Sequence, residues 1–367
     1  MTDIKSKQVN RIEGLDLLRV LAILSVVFIH TMPSEIQDIG YFNSLSSSSK
    51  IFYFSCFAVG RLGVPLFMLL SGYLLLSRDY NHENTKKFYK KNFLSLLLTW
   101  EIWIFIYNLV LSWFRDSAFH MSVVVKNMFF IEAMSPNVFH AWYMEMILGI
   151  YLFIPFISRV LKTMSDKEIS AFSVISFTYF FIVPTLNQFK SIHWDCSLDL
   201  SFSGGVYGFY LIAGYLLKRY EEPLRNTLGS LVAPAGLASI AALILLQIPA
   251  NTNDHLYLMW YDFCLLPIVS MLIFVYFRDV QVVKLRSLIT NISACSFGIY
   301  LFHILYLALF WRYETFDLFS DKLRIFLLFV SSFVLSFISV MILKKNTSSG
   351  QAIGQMMIIL HDEGLIE

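Results

Sequence analysis

Arg19 and His30 stand eleven residues apart inside an apolar run that covers residues 15–32. An ionisable side chain at the centre of a membrane helix costs roughly 2.5–3.5 kcal/mol, so each calls for a structural or chemical reason. At 100° per residue the pair falls 20° past three full turns, on one helix face, roughly 16 Å apart along the axis. Asp16, three residues before Arg19, lies on the same stripe and can pair with it. Histidine titrates near working pH, which suits it to general base catalysis or to carrying an acyl group as a nucleophile. The plain structural alternative is a capped helix whose charged ends snorkel to the interfaces.

Further polar residues fall in other apolar stretches: His140 and Glu145 near 139–161, Asp262 near 257–277, and His303 near 288–311. Ser296, Tyr300 and His303 follow i, i+4, i+7 spacing and form one polar stripe; Ser203, Tyr207 and Tyr210 do the same, as do His255 and Asp262. Each alone reads as a helix–helix hydrogen bond. Together they converge at the level of His30 and outline a hydrated cavity in which Glu145 or Asp262 can orient the imidazole. Trp142, Trp260 and Trp311 sit at the same ends, as interfacial anchors or as platforms for a sugar. Glu101 lies deeper, with Arg19 or Arg61 as possible partners. Lys86, Lys87, Lys90 and Lys91 form a basic cluster that either binds phosphates or anchors the chain to lipid headgroups.

The elements that must position these groups are membrane helices. Of 367 residues, 57% are hydrophobic and 15% charged, too few charges to cover a water-facing surface. Apolar runs long enough to cross a bilayer occur near 15–32, 52–76, 93–114, 139–161, 168–186, 203–219, 228–248, 257–277, 288–311 and 323–343, and 121–134 reads as an interfacial or re-entrant segment. The expected fold is therefore an all-α polytopic membrane protein of about ten spans. The excess of Lys and Arg in alternate loops places both termini in the cytoplasm. One membrane domain over 15–345 is expected between a cytoplasmic segment at 1–14 and a cytoplasmic tail at 346–367. The run at 15–32 is too long for a signal-peptide core and no cleavage site follows it. A net charge of +2 gives no reason to expect nucleic acid, and the four single cysteines, Cys56, Cys196, Cys264 and Cys295, suggest neither a disulfide framework nor a metal site.

Four stretches in order, LDLLRVLAILSVVFIH from Leu15 to His30, RLGVPLFMLLSGYLL from Arg61, His140-Ala141-Trp142, and SFGIYLFH ending at His303, resemble the acyltransferase-3 family of membrane acyltransferases. The layout is similar to the short stand-alone members that O-acetylate surface polysaccharides, such as the enterobacterial-common-antigen O-acetyltransferases. The resemblance implies a multi-pass enzyme of the cytoplasmic (inner) membrane that takes acyl from acyl-CoA, most simply acetyl-CoA, and passes it to a glycan or lipid-linked glycan hydroxyl. On this reading His30, with Arg19 and Glu145, is catalytic. Lys86, Lys87, Lys90, Lys91 and Arg61 bind the donor, and His140, Trp142, Asp262, Tyr300 and His303 bind the acceptor. The sequence departs from the family where an R-x-x-R pair is common: Lys90 and Lys91 offer point charges instead of a bidentate fork. A glycan or solute transporter, or a structural subunit of a polysaccharide synthase, also needs intramembrane charge, but the chain shows no internal repeat. The topology has a direct test. A reporter fused after Lys345 is expected to read as cytoplasmic and one inserted at residues 187–190 as external; the opposite signal at either point overturns the ten-span arrangement.

Overall fold

The computed structural model describes residues 12–115, 117–134, 138–189, 194 and 203–346, and the expectations for the terminal segments, Lys190 and Cys196 fall outside them. Helices of seven residues or more are numbered here: α1 Glu13–Ile29, α2 Ser47–Gly60, α3 Gly63–Leu75, α4 His82–Phe88, α5 Leu94–Phe114, α6 Met121–Asn127, α7 Trp142–Thr163, α8 Asp166–Phe177, α9 Gly205–Arg219, α10 Glu221–Leu228, α11 Val232–Leu245, α12 Leu265–Arg278, α13 Arg286–Arg312 and α14 Asp321–Asn346. Polar side chains start several of them. Ser46 caps α2, Asn81 caps α4, and Ser165 with Glu168 forms a reciprocal capping box at α8.

The described residues are helical without a regular strand, and seven helical stretches among them, several joining consecutive numbered helices, are long and apolar enough to cross a bilayer: Ser47–Leu75, His82–Phe114, Trp142–Thr163, Asp166–Asn187, Glu221–Ala250, Arg286–Arg312 and Asp321–Lys345. The other three expected spans coincide with shorter helices, α1 (17 residues), α9 (15) and α12 (14). α1 runs through the middle of the bundle, packed on α2, α3, α12 and α13. Most of its residues are buried among protein side chains.

The expectation for 257–277 needs correction. Helix begins there only at Leu265, and residues 251–264 fold as turns. Asn251 stops the preceding helix by imitating backbone. Its amide oxygen accepts the Tyr257 N–H (2.8 Å), and its nitrogen donates to the carbonyls of Gln247 (2.7 Å) and Tyr257 (2.9 Å). Side chains then serve the exposed backbone. Arg61 Nε donates to the Met259 carbonyl (3.1 Å), Tyr210 Oη to that of Tyr261 (2.9 Å), and Thr185 Oγ1 accepts the Cys264 N–H (2.7 Å). Irregular backbone is tolerated in an apolar setting only when the protein supplies such partners. His255 and Asp262 therefore share no helix face. The segment near 121–134 is α6 followed by a loop in which Phe129 and Phe130 both have positive φ (58° and 59°). Glu101 meets this loop instead of an arginine, accepting the Phe129 N–H at 3.2 Å.

α3 and α9 touch backbone to backbone. A Cβ on Gly72 would stand 1.8 Å from the Leu211 carbonyl oxygen, and one on Gly214 would stand 2.1 Å from that of Leu69. Small residues at a crossing replace the hydrophobic driving force that lipid cannot provide. Gly72→Ala is expected to lower the thermal midpoint of the detergent-solubilised protein, because a backbone oxygen cannot yield as a side chain does. Gly149→Ala on α7, where a Cβ meets nothing within 4 Å, is expected to leave it equal or raised by the better helix former. Equal effects at the two positions would refute the close crossing.

Candidate active site

His30 ends α1, and His303 lies on α13, where the Ser296, Tyr300 and His303 stripe faces inward. The rings stack with centroids 5.1 Å apart and share a hydrogen bond of 2.8 Å between His30 Nδ1 and His303 Nε2. His303 Nδ1 lies 2.6 Å from the Tyr300 carbonyl oxygen. A carbonyl only accepts, so His303 carries its proton on Nδ1. In the uncharged ring Nε2 then holds a lone pair, and His30 Nδ1 must donate to it. The remaining nitrogen of His30, Nε2, is left with a lone pair. The bonded pair thus fixes which nitrogen of His30 can act as base or nucleophile.

His30 lines a cavity together with His140, Trp142, Tyr143, Tyr261, Ser296 and Tyr300. A second cavity lies toward the other end of α1 and is lined by Arg19, Ser71, Leu96 and Tyr151 among others. Phe67, Tyr143, Ser296 and Phe297 line both, so the two spaces abut across these four side chains. Arg19 is buried and lies 3.5 Å from Asp16, whose carboxylate also accepts from Ser293 Oγ at 2.7 Å. The Asp16–Arg19 stripe read from spacing is present, and Ser293 ties it to α13.

Several residues sit elsewhere than expected. Glu145 accepts the Met134 N–H (3.1 Å) and is absent from the cavity lining; the partner of the His30 ring is His303. Asp262 stands in the turn segment and does not line the cavity, whereas its neighbour Tyr261 does. His303 is fully buried behind His30 and touches His30, not the cavity. Arg61 joins α2 to α3, with its guanidinium 3.9 Å over the ring of Trp260. The Lys86, Lys87, Lys90 and Lys91 side chains are exposed beyond the far end of α3, a helix about 20 Å long, so Arg61 does not belong with them. Lys90 and Lys91 lie on a π turn, Tyr89–Phe93, that leads into α5.

Trp142, Trp260 and Tyr261 form an aromatic cluster at the His30 end, with Trp142 centroids 6.2 Å from Trp260 and 5.4 Å from Tyr261. Two residues escaped the sequence reading. Ser293 continues the α13 stripe three residues before Ser296, a signal that spacing carried. Tyr107 of α5 hydrogen-bonds to His140 and to the Leu301 carbonyl, and nothing in its sequence context separates it from the surrounding aromatic residues.

A family model described as an acyltransferase domain matches residues 12–344. The chain belongs to the acyltransferase-3 family. It is also similar to a protein of Acidianus two-tailed virus named "Putative acetyltransferase ORF330", 26% identical over 297 residues that make up 78% of this chain and 81% of that one. No solved structure matches. This is a multi-pass membrane acyltransferase, with its polar groups gathered around His30. Because His303 fixes the His30 tautomer, His303→Leu is expected to lower the acyl-transfer rate by about 10²-fold or more, the range of positioned acid–base groups. His303→Gln, whose amide oxygen can take the place of Nε2, should recover part of it in a radiolabelled-acyl assay. Equal loss in both variants would deny His303 that role.

Proposed function

We propose that this acyltransferase moves an acetyl group from acetyl-CoA to a hydroxyl of a surface or lipid-linked polysaccharide, with the N- and C-termini in the cytoplasm of a cell whose inner membrane it spans. The observation that carries the reading is the open Nε2 of His30, held by the His303–Tyr300 chain against a cavity that abuts a second one reaching Arg19. A donor arriving at the Arg19 end and an acceptor arriving at the His30 end would meet there.

The lysine cluster supports the donor half. Leu96, which lines the Arg19 cavity, follows Lys91 on the chain by about 7 Å of helix rise. Phosphates held on Lys86, Lys87, Lys90 and Lys91 would leave the pantetheine arm to pass Arg19 toward His30. The aromatic cluster supports the acceptor half, since Trp142 and Tyr261 line the His30 cavity and Trp260 adjoins them, flat faces on which a sugar ring can stack. His140 and Tyr300 line the same space and would bind the acceptor.

Two routes use the same lone pair. As general base, His30 Nε2 takes the hydroxyl proton while the alkoxide oxygen attacks the thioester carbon, the C–S bond breaks, and the proton passes to the leaving thiolate. As relay, Nε2 attacks that carbon itself, the C–S bond breaks and the thiolate leaves, and the Nδ1 proton moves to His303. The acceptor hydroxyl then attacks the acyl carbon, the C–N bond breaks, His303 returns the proton to Nδ1, and the hydroxyl proton ends on the thiolate. Both start from the arrangement in which His303 keeps the proton on Nδ1 and leaves Nε2 open; in the relay His303 also takes up that proton.

The test is transfer or hydrolysis of radiolabelled acetyl-CoA by purified protein. His30→Ala is expected to lower the rate at least about 10²–10⁴-fold with abundance and membrane insertion near normal. Substantial activity in that variant refutes His30 as the reacting group. Failure of the wild-type protein to consume any acyl-CoA refutes the donor assignment and favours transport.

A further inference from the structure

His140 is 1% exposed and belongs to the lining of the reaction cavity. Its Nε2 lies 3.0 Å from Tyr107 Oη, and Tyr107 in turn donates to the Leu301 carbonyl at 2.6 Å. Leu301 O can only accept, so the Tyr107 proton is committed to it. The phenol oxygen must then accept from His140, which places the His140 proton on Nε2. Nδ1 is left with a lone pair, and it has no hydrogen-bond partner. An unmet buried acceptor is costly enough to need an explanation. Two residues that line the cavity thus each keep an imidazole lone pair, His30 Nε2 and the buried His140 Nδ1, on rings whose centroids are 6.1 Å apart.

We propose that His140 Nδ1 accepts a hydrogen bond from a second hydroxyl of the acceptor, next to the one acylated, and that Tyr107 is the positioning residue that holds His140 in the required tautomer. The acceptor class is thereby narrowed to vicinal diols. Rings this close are spanned most simply by two donors that are near neighbours on one molecule, each at a hydrogen-bond distance of about 2.8 Å. Both rings are held before the acceptor arrives, His30 by His303 and His140 by Tyr107, while the Tyr300 hydroxyl donates to the backbone carbonyl of His140 at 2.9 Å and holds its main chain. This rests on the alcohol-acceptor reading above and extends it.

The experiment uses the purified full-length protein, acetyl-CoA, and two acceptor probes, cis-1,2-cyclohexanediol and its mono-O-methyl ether. The ether keeps one attacking hydroxyl and the second oxygen but loses the second donor. Ester formation and CoA release are followed separately. In the wild type, kcat/KM for the diol is expected to exceed that for the ether about tenfold or more, as in sites built to pair a substrate hydroxyl. In Tyr107→Phe the ratio should fall to about the twofold statistical factor, because His140 is free to exchange tautomers. His140→Asn, whose amide oxygen can stand where Nδ1 stood, should keep the preference, and His140→Phe should lose it. These two variants decide the matter if Tyr107→Phe fails to fold. A wild-type ratio near two, or an undiminished ratio in both Tyr107→Phe and His140→Phe, overturns the proposal while leaving acyl transfer to alcohols intact. CoA release without ester from either probe instead overturns the alcohol-acceptor reading, and the diol assignment with it.

Discussion

The carbonyl oxygens of Tyr300 and Leu301 can only accept, and the proton pattern of the polar interior follows from them. One receives the His303 ring and the other the Tyr107 hydroxyl, at 2.6 Å each. From those two ends the assignments propagate outward without further choice, through His303 to His30 and through Tyr107 to His140. Each chain finishes on an imidazole lone pair. Inside the bundle a buried donor that meets no acceptor costs its desolvation, so a misassigned proton in either chain would be unfavourable. Which imidazole nitrogens stay unprotonated is set by backbone on α13, a long helix whose neighbours are fixed by packing.

That packing is close because small residues permit it. Gly63 lets α3 approach α1 to where a Cβ would stand 2.7 Å from the Ala22 carbonyl oxygen, and Gly72 and Gly214 do the same between α3 and α9. At the Arg19 end, ion pairs finish the work. Arg278 meets Glu221 (3.1 Å) and Asp279 (2.8 Å), Arg286 meets Glu13 (2.9 Å), and Tyr73 donates to Glu221 at 2.8 Å. α1 is thus pinned at its base by charge and along its length by contact, and its last residue delivers His30 to a defined place. The turn segment at 251–264 is the complementary device. Releasing backbone from helix there lets Tyr261 reach the cavity and Trp260 reach Arg61.

The two cavities differ in the chemistry of their linings. One carries a buried arginine; the other carries two imidazoles and the indole of Trp142. The four residues that line both, Phe67, Tyr143, Ser296 and Phe297, come from α3, α7 and α13, so the constriction draws on three helices and no single one controls it.

The sequence by itself determined the solvent, the helical class and the stripe on α1, since hydropathy and 100° periodicity are local properties that survive folding unchanged. Asp16, Arg19 and His30 share a face because eleven residues close three turns in any α-helix. The family was also legible, in motifs whose order along the chain is itself sequence. What only the tertiary structure decided was partnership. Spacing nominated Glu145 and Asp262 for His30, yet the ring that meets His30 comes from 273 positions away, and Glu145 turned to a loop amide. Hydropathy drew a helix across 257–264 because Leu, Tyr and Trp are apolar, and it could not register that Asn251, Arg61, Tyr210 and Thr185 would satisfy that backbone in a non-helical form. Tyr107 was invisible for the same reason. A hydrogen bond that fixes a tautomer depends on which carbonyl lies within 3 Å, and that distance exists only once the helices have packed.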